Sequence, residues 1–193
     1  MAWTYFVVGR GSIGRRHAAN LQDLGKTVEH FAWRGFDAEV FSSSIARCNG
    51  QAAVIIATAT DVRSKLVKMC AASNVPMYIE KPLAFTQSDV DVIYGIEMSL
   101  QKRSMVGFML RYHPLTRFLS EFDGSDFFRL HFEVGHDVRQ WRKNWSFPKS
   151  YAARAKGGGV LLDLCHEVDL ARMICPSLEL SAVSSIGDER FPG

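Results

Sequence analysis

Three glycines near the amino terminus have the spacing of a loop that binds phosphate groups. Gly9, Gly11 and Gly14 follow a short apolar run and open a segment with helical periodicity, which is the context that makes a GxGxxG motif informative. The first glycine allows a tight turn, the second lets the backbone approach a pyrophosphate, and the third lets the helix pack closely on the strand. Amides at the start of a helix favour anions. The loop, including Ser12 and Ile13, therefore predicts a dinucleotide site.

The residues after the second apolar run indicate which dinucleotide is preferred. Where NAD is bound, an acidic side chain here usually contacts the ribose hydroxyls. This chain reads Phe-Ala-Trp-Arg-Gly over positions 31–35, and Asp37 comes too late. Arg34 carries the planar guanidinium that pairs with a 2′-phosphate, and Trp33 is placed to flank the adenine. We predict NADP(H) in preference to NAD(H); the alternative is that Arg34 is a solvated loop residue.

A second group of polar residues follows later apolar runs. Glu80-Lys81-Pro82 ends a predicted strand at the carboxyl edge of the sheet, where ligands of open α/β folds bind. A lysine at that edge can hydrogen-bond a substrate hydroxyl and hold a proton near the reacting carbon, although a strand-terminal lysine is more often simply solvated. We assign Thr58, Glu80 and Lys81 to the cofactor site together with the glycine loop.

The elements that must position these residues alternate along the first half of the chain. Strands are predicted at 5–8, 27–33, 52–57, 77–79 and 104–110, and helices at 13–24, from a cap at Asp61 to about 73, and from Thr86 or Ser88 to about 101. This alternation predicts right-handed crossovers and a doubly wound parallel sheet. We therefore expect an α/β chain with a Rossmann domain over residues 1–112.

The remaining residues, 113–193, lack the regular alternation of strand and helix and predict a partial α+β domain. A helix at 115–122, a long strand at 127–134, a helix at 160–174 and the start of a strand at 178–186 surround an aromatic, basic stretch at 136–155. One helix and two strands are marginal as an independent domain. We expect an incomplete substrate-binding domain, and unpaired strand edges that favour a homo-oligomer.

Bulk composition excludes several classes of protein. The net charge of +3 comes from scattered basic residues, which argues against a nucleic-acid partner. No apolar run approaches the roughly 18 residues of a membrane helix, and no secretory signal opens the chain. The four cysteines, at positions 48, 70, 165 and 175, form no CxxC pair, so we predict no metal site and buried thiols in a reducing cytoplasm.

Four segments together resemble the Gfo/Idh/MocA family, the glucose–fructose oxidoreductase and inositol dehydrogenase group. They are the glycine loop continued by Arg16-His17 and Asn20-Leu21, Glu80-Lys81-Pro82, the stretch Gly107 to Pro114, and the stretch Gly157 to Asp169. Their order and spacing match over essentially the whole chain. The resemblance implies a nucleotide-binding domain followed by a domain with a large mixed sheet that binds substrate and contributes to oligomer contacts, and it suggests that the present chain is truncated.

The resemblance also implies roles for individual residues. Lys81 looks like the catalytic lysine, His166 like the general acid/base and Asp163 like the carboxylate that orients the substrate. Arg111 and Tyr112 would line the substrate cleft. The family commonly spaces this aspartate and histidine four residues apart, whereas here the spacing is three, which still places both on one face of a helix.

Some alternatives stay open. Asp169, three residues after His166, is a second candidate for orienting the imidazole, and the alternative for all the polar residues of this helix is a simple surface position. Trp141 and Trp145 suit either a sugar face or packing within the second domain.

The reaction that the resemblance implies is hydride transfer between NADP(H) and a secondary alcohol or ketone. The expected substrate is carbohydrate-like: a sugar, a nucleotide sugar or a cyclic polyol. The alternatives are a non-catalytic dinucleotide-binding module and an imine or enamine reductase; the latter would not need Asp163 and His166.

Overall fold

A computed structural model gives the structure of residues 2–135, 146, 148, 153–154, 157–177 and 179–184. The chain divides into two compact units, Met1–Gly107 and Phe108–Gly193. The domain boundary that the sequence suggests, near residue 112, falls a few residues after this division. The predicted aromatic stretch from 136 to 155 lies almost wholly outside the described residues, as do Trp141 and Trp145.

The first unit is built on a sheet of five parallel strands. These are β1 (Thr4–Val8), β2 (Thr27–Phe31), β3 (Ala52–Ile56), β4 (Met77–Ile79) and β5 (Met105–Val106). Their order across the sheet is β2-β1-β3-β4-β5, so the order reverses between β1 and β3. An open sheet binds its ligands outside the carboxyl ends of the strands at such a reversal. The predicted doubly wound parallel sheet is confirmed.

Five helices connect these strands: α1 (Ser12–Asp23), α2 (Ala38–Arg47), α3 (Arg63–Ala72), α4 (Gln87–Tyr94) and α5 (Met98–Gln101). The side chain of Thr86 caps α4 by accepting from the Asp89 amide at 3.2 Å, as the sequence predicted. The predicted cap at Asp61 is wrong, because Asp61 lies inside a 3₁₀ turn, Thr60–Val62, and Val62 occupies the capping position of α3. The predicted helix to residue 101 is interrupted because α4 ends at Gly95, and α5 adds one turn.

The apolar runs of the central strands fill two layers, one on each face of the sheet. Phe6, Val8, Val54 and Ile56 are fully buried on the face covered by α2 and α3. Val7 and Ile55, on the other face, pack with Ala18 of α1. Both faces are covered, so these strands carry no polar alternation. Among the four cysteines only Cys70 of α3 is buried, whereas the other three are half-buried.

The second unit contains three helices among its described residues: α6 (Pro114–Leu119), α7 (Val160–Asp163) and α8 (His166–Ile174). The single helix predicted over 160–174 is wrong, because the chain turns at Leu164 and Cys165, where ψ of Cys165 is 2° and not the helical value near −42°.

The strand predicted over 127–134 is also wrong, since residues 127–135 form no strand, and residues 179–184 of the last predicted strand are irregular too. A strand needs a neighbour to bind its backbone groups, and no such neighbour lies in the described part of the chain.

Candidate functional site

The glycine loop lies at the carboxyl end of β1, beside the reversal in strand order. Gly9 has φ of +120°, a conformation open mainly to glycine, and a Cβ there would collide with the carbonyl of Ala57. A Cβ on Gly14 would collide with the carbonyl of Gly9, which shows how closely α1 packs on the turn. Nothing lies within 4 Å of the place where a Cβ on Gly11 would stand. The loop therefore leaves open space over its second glycine, where a phosphate group needs to approach.

Three hydrogen bonds hold the loop against β2. The amide of Gly9 donates to the Phe31 carbonyl at 2.9 Å, and the ring of His30 bonds the Gly9 carbonyl at 2.9 Å. Arg10 donates from Nη2 to the His30 carbonyl at 2.8 Å. Sequence reasoning missed Arg10 and His30, because the variable positions of a glycine motif and a polar residue within a strand carry no signal of their own. They fix the loop relative to the strand that follows it.

A buried hydroxyl without a hydrogen-bond partner supports the inference that a ligand binds at this edge of the sheet. Thr58 comes just after β3 and is only 8% exposed. Its Oγ1 is buried and has no hydrogen-bond partner in the described structure. A buried hydroxyl without a partner is destabilising and calls for an explanation such as a ligand. The unpartnered hydroxyl of Thr58 and the open space over Gly11 both agree with a dinucleotide bound at this edge of the sheet.

Three side chains that follow β2 closely in the sequence have different surroundings in the structure. Trp33 stacks on Phe36 with ring centroids 5.3 Å apart, at the margin of the core. Arg34 is exposed. Asp37 caps α2, with Oδ1 accepting from the amides of Glu39 and Val40 at 2.9 and 3.0 Å. Asp37 therefore has a structural task, and no carboxylate lies between β2 and that cap.

Glu80 and Lys81 follow β4 at the same edge of the sheet. His17 of α1 donates from Nε2 to Oε1 of Glu80 at 2.7 Å, and its ring packs edge-on against Tyr78 at 5.1 Å. The helix that begins with the phosphate loop is thus tied to the residue before Lys81. Lys81 itself is half-buried. The sequence motif contained His17 but gave no sign of this contact.

The second unit carries a separate polar cluster. Arg111, in a 3₁₀ turn at Met109–Tyr112, donates from Nε and Nη2 to the two carboxylate oxygens of Asp169 in α8, at 2.8 and 2.5 Å. The Asp169 side chain is 8% exposed and that of Arg111 48%. The hydrogen bond to Asp169 raises the pKa of Arg111. Both carboxylate oxygens of Asp169 thus accept from Arg111, which fixes the orientation of this side chain on α8.

Phe108 links His166 to this ion pair. Its ring meets the His166 ring edge-on at 6.0 Å, and the Arg111 guanidinium carbon lies 5.6 Å from its centroid. Asp163, at the end of α7, is buried, and Tyr112 is exposed. Asp163 and His166 stand on different helices, so the inference that they share one helix face is wrong. The predicted residues thus form two groups, one within each unit.

Comparisons with known proteins show what the chain is similar to. No protein-family model matches it. It is 32% identical over 123 residues to an inositol 2-dehydrogenase from Rubrobacter xylanophilus, an alignment that covers 56% of this chain and 35% of that protein. The chain therefore spans about a third of the length of this curated relative.

Two solved structures are similar to the fold. The WlbA dehydrogenase from Thermus thermophilus, in complex with NAD and UDP-GlcNAcA, matches 90% of this chain and 63% of its own, with a TM-score of 0.63 and 18% identity. The aldose-aldose oxidoreductase from Caulobacter crescentus matches 91% of this chain and 58% of its own, with a TM-score of 0.62 and 15% identity. These likenesses confirm the Rossmann-like α/β fold. The relative confirms the resemblance to the Gfo/Idh/MocA oxidoreductases.

Proposed function

We propose that this chain, which resembles the Gfo/Idh/MocA oxidoreductases, serves hydride transfer between NADP(H) and a secondary alcohol or ketone of a carbohydrate-like molecule. The observation that carries the proposal is the glycine loop at the reversal between β1 and β3, with open space over Gly11 and the orphaned hydroxyl of Thr58 beside it. The first feature gives room for a phosphate group of a dinucleotide, and the second adds an unpartnered polar group at the same edge of the sheet.

The chain's own residues divide the work of holding the cofactor. The backbone amides at the start of α1, from Ser12 through Gly14, face anions with the positive end of the helix dipole. The Thr58 hydroxyl is available as a donor or acceptor at the end of β3. Arg34 is exposed after β2 and pairs with a 2′-phosphate, while Trp33 offers an aromatic surface for the adenine. When bound, the nicotinamide supplies or accepts the hydride.

The substrate side of the proposal assigns the chemistry at the substrate oxygen to two residues with different roles. Oxidation of a secondary alcohol removes a hydride from carbon and a proton from oxygen. We assign the proton to the His166 imidazole, and we assign to Lys81 a hydrogen bond that stabilises the negative charge developing on that oxygen. Asp163 would orient the hydroxyl groups, and Arg111 and Tyr112 would complete the substrate contacts. In the reverse direction the same residues return the proton to the ketone.

The substrate class rests on the names of similar proteins. The curated relative is an inositol 2-dehydrogenase, which is named for a cyclic polyol, and the WlbA structure contains a nucleotide sugar. A cytoplasmic location and a homo-oligomer are also part of the proposal. The free thiols of Cys48, Cys70 and Cys175 support the first, and exposed Leu115 and Phe118 on α6 support the second. No described helix has the length and apolar character to cross a membrane.

Replacing Arg34 by alanine tests the cofactor assignment. We expect wild-type protein to bind NADPH more tightly than NADH, and Arg34→Ala to weaken NADPH binding by roughly 10- to 100-fold, because a charge-assisted hydrogen bond contributes about 1.5–3 kcal/mol. NADH binding should change little, since NADH lacks the 2′-phosphate. Titration of nicotinamide fluorescence measures both dissociation constants.

Arg103→Ala is the matched control. Arg103 is exposed and bonds Asn74, which precedes β4 at the amino edge of the sheet, away from the glycine loop. Removing it deletes the same charge and should leave the ratio of the two dissociation constants unchanged. An unchanged ratio in Arg34→Ala would remove Arg34 from the cofactor site, and no binding of either dinucleotide by wild-type protein would remove the proposed function.

A further inference from the structure

Arg63, the first residue of α3, belongs to none of the motifs that indicated a function. Its residue surface is only 5% exposed. Burying a guanidinium is strongly unfavourable unless its N–H groups find acceptors. An arginine so placed is held there by specific partners, and the identity of those partners indicates what it does.

The guanidinium of Arg63 bonds backbone carbonyls at the ends of two neighbouring strands. From one edge, Nε and Nη2 donate to the carbonyl of Thr58, after β3, at 3.2 and 2.8 Å. From the other side, Nη1 donates to the carbonyl of Glu80 at 2.6 Å and also to that of Pro82. The two acceptors of Nη1 are the residues immediately before and after Lys81.

We propose that Arg63 is a positioning residue for Lys81. By holding the carbonyls on both sides of Lys81 and joining them to the end of β3, the guanidinium fixes the backbone from which the Lys81 side chain extends. It leaves the lysine side chain itself to other contacts. This inference rests on the proposed function for its catalytic consequence, since that function assigns Lys81 to the substrate oxygen.

Arginine is required for this task because of its shape. The carbonyl of Thr58 and the two carbonyls beside Lys81 lie on different edges of one rigid, planar fork. A lysine at this position keeps the positive charge and nearly the same length, but it has a single nitrogen. Arg63→Lys therefore has all its donors on one atom and loses the two separated edges from which the guanidinium joins these carbonyls. Loss of the connection, and not loss of charge, is the predicted defect.

The first test measures Lys81 directly and requires no substrate. Trace acetylation with acetic anhydride, followed by peptide mass spectrometry, gives the reactivity of the Lys81 amine relative to the exposed Lys102 in the same sample. We expect Arg63→Lys and Arg63→Ala to change this ratio by about threefold or more, because lysine reactivity follows the local environment of the amine. Arg47→Ala, which removes an exposed arginine of α2 bonded to Ser44, should leave the ratio unchanged.

The second test separates positioning from folding. In Arg63→Ala, guanidinium ion at about 20 mM, far below denaturing concentrations, should return the Lys81 ratio toward the wild-type value. The NADPH dissociation constant is measured beside it, because Arg63 also bonds the carbonyl of Thr58 in the proposed cofactor site; retained NADPH binding shows that the variant is folded. With NADP and myo-inositol as substrates, kcat should fall and recover in parallel with the Lys81 ratio. If Arg63→Ala does not fold, Arg63→Lys provides the same comparison without rescue.

A wild-type Lys81 ratio in folded Arg63→Lys or Arg63→Ala overturns the inference. The failure of the proposed function gives a different result. Wild-type protein would then bind no NADPH or oxidise no substrate, while the acetylation ratio would still report whether Arg63 controls Lys81.

Discussion

At the level of single residues, three ionisable side chains of the proposed sites contact partners that are distant in sequence. The carboxylate of Glu80 accepts from His17, that of Asp169 is bound by both donors of Arg111, and His166 packs on the ring of Phe108. These contacts join residues separated by tens of positions, so neither spacing nor periodicity can predict them. The motifs identify which residues carry chemistry, and the long-range contacts determine how each is oriented.

Lys81 provides the most direct residue-scale prediction. Lys81→Ala should lower kcat by about 10²–10³-fold, the usual cost of removing a donor that stabilises a developing oxyanion, while the NADPH dissociation constant stays nearly unchanged. Steady-state kinetics with NADP and myo-inositol, beside NADPH fluorescence titration, measure the two quantities.

Lys102→Ala, which removes an exposed lysine at the end of α5, is the control and should behave as wild type. Full turnover in Lys81→Ala would show that the lysine plays no part in the reaction.

At the level of elements, sequence reasoning succeeded where local and long-range forces agree. Each central strand has a continuous apolar run and is covered on both faces, so β1, β3 and β4 were predicted within about a residue. It failed where an element depends on a partner. The apolar residues 127–134 have the composition of a strand but no neighbouring strand in the described structure. Composition cannot supply a missing hydrogen-bonding partner.

The start of α2 allows a test of which role Asp37 plays. Asp37→Ala removes a capping acceptor and should lower the free energy of unfolding by about 0.5–2 kcal/mol, measured by urea denaturation. Asp37→Asn keeps the cap, since asparagine is an equally good capping residue, and should retain stability. Both variants should keep the wild-type preference for NADPH over NADH. Weaker NADH binding in the stable Asp37→Asn variant would instead place this carboxylate on the ribose.

On the scale of the whole molecule, the proposed cofactor contacts all fall within Met1–Gly107, whereas Asp163 and His166 belong to Phe108–Gly193. The glycine loop, Thr58, Arg34 and Lys81 lie at the carboxyl ends of strands in a single sheet. A ligand that binds only the native state stabilises what it contacts. Cofactor binding should therefore stabilise the first unit specifically, and the cysteines of the chain can report on each unit separately.

Cys70 is the reporter for the first unit. Burial in α3 raises the pKa of its thiol to about 12, and only the thiolate reacts with alkylating reagents, so at pH 8 this cysteine should react only when the unit opens. NADPH at 100 times its dissociation constant should slow alkylation of Cys70 by iodoacetamide about 100-fold, corresponding to roughly 2.7 kcal/mol of stabilisation. Cys165 and Cys175, half-buried in the second unit, should react at the same rate with or without NADPH. Peptide mass spectrometry over a time course measures all three rates in one sample.

Equal protection of all three cysteines would contradict a cofactor site confined to the first unit, and no protection of Cys70 would contradict the site itself.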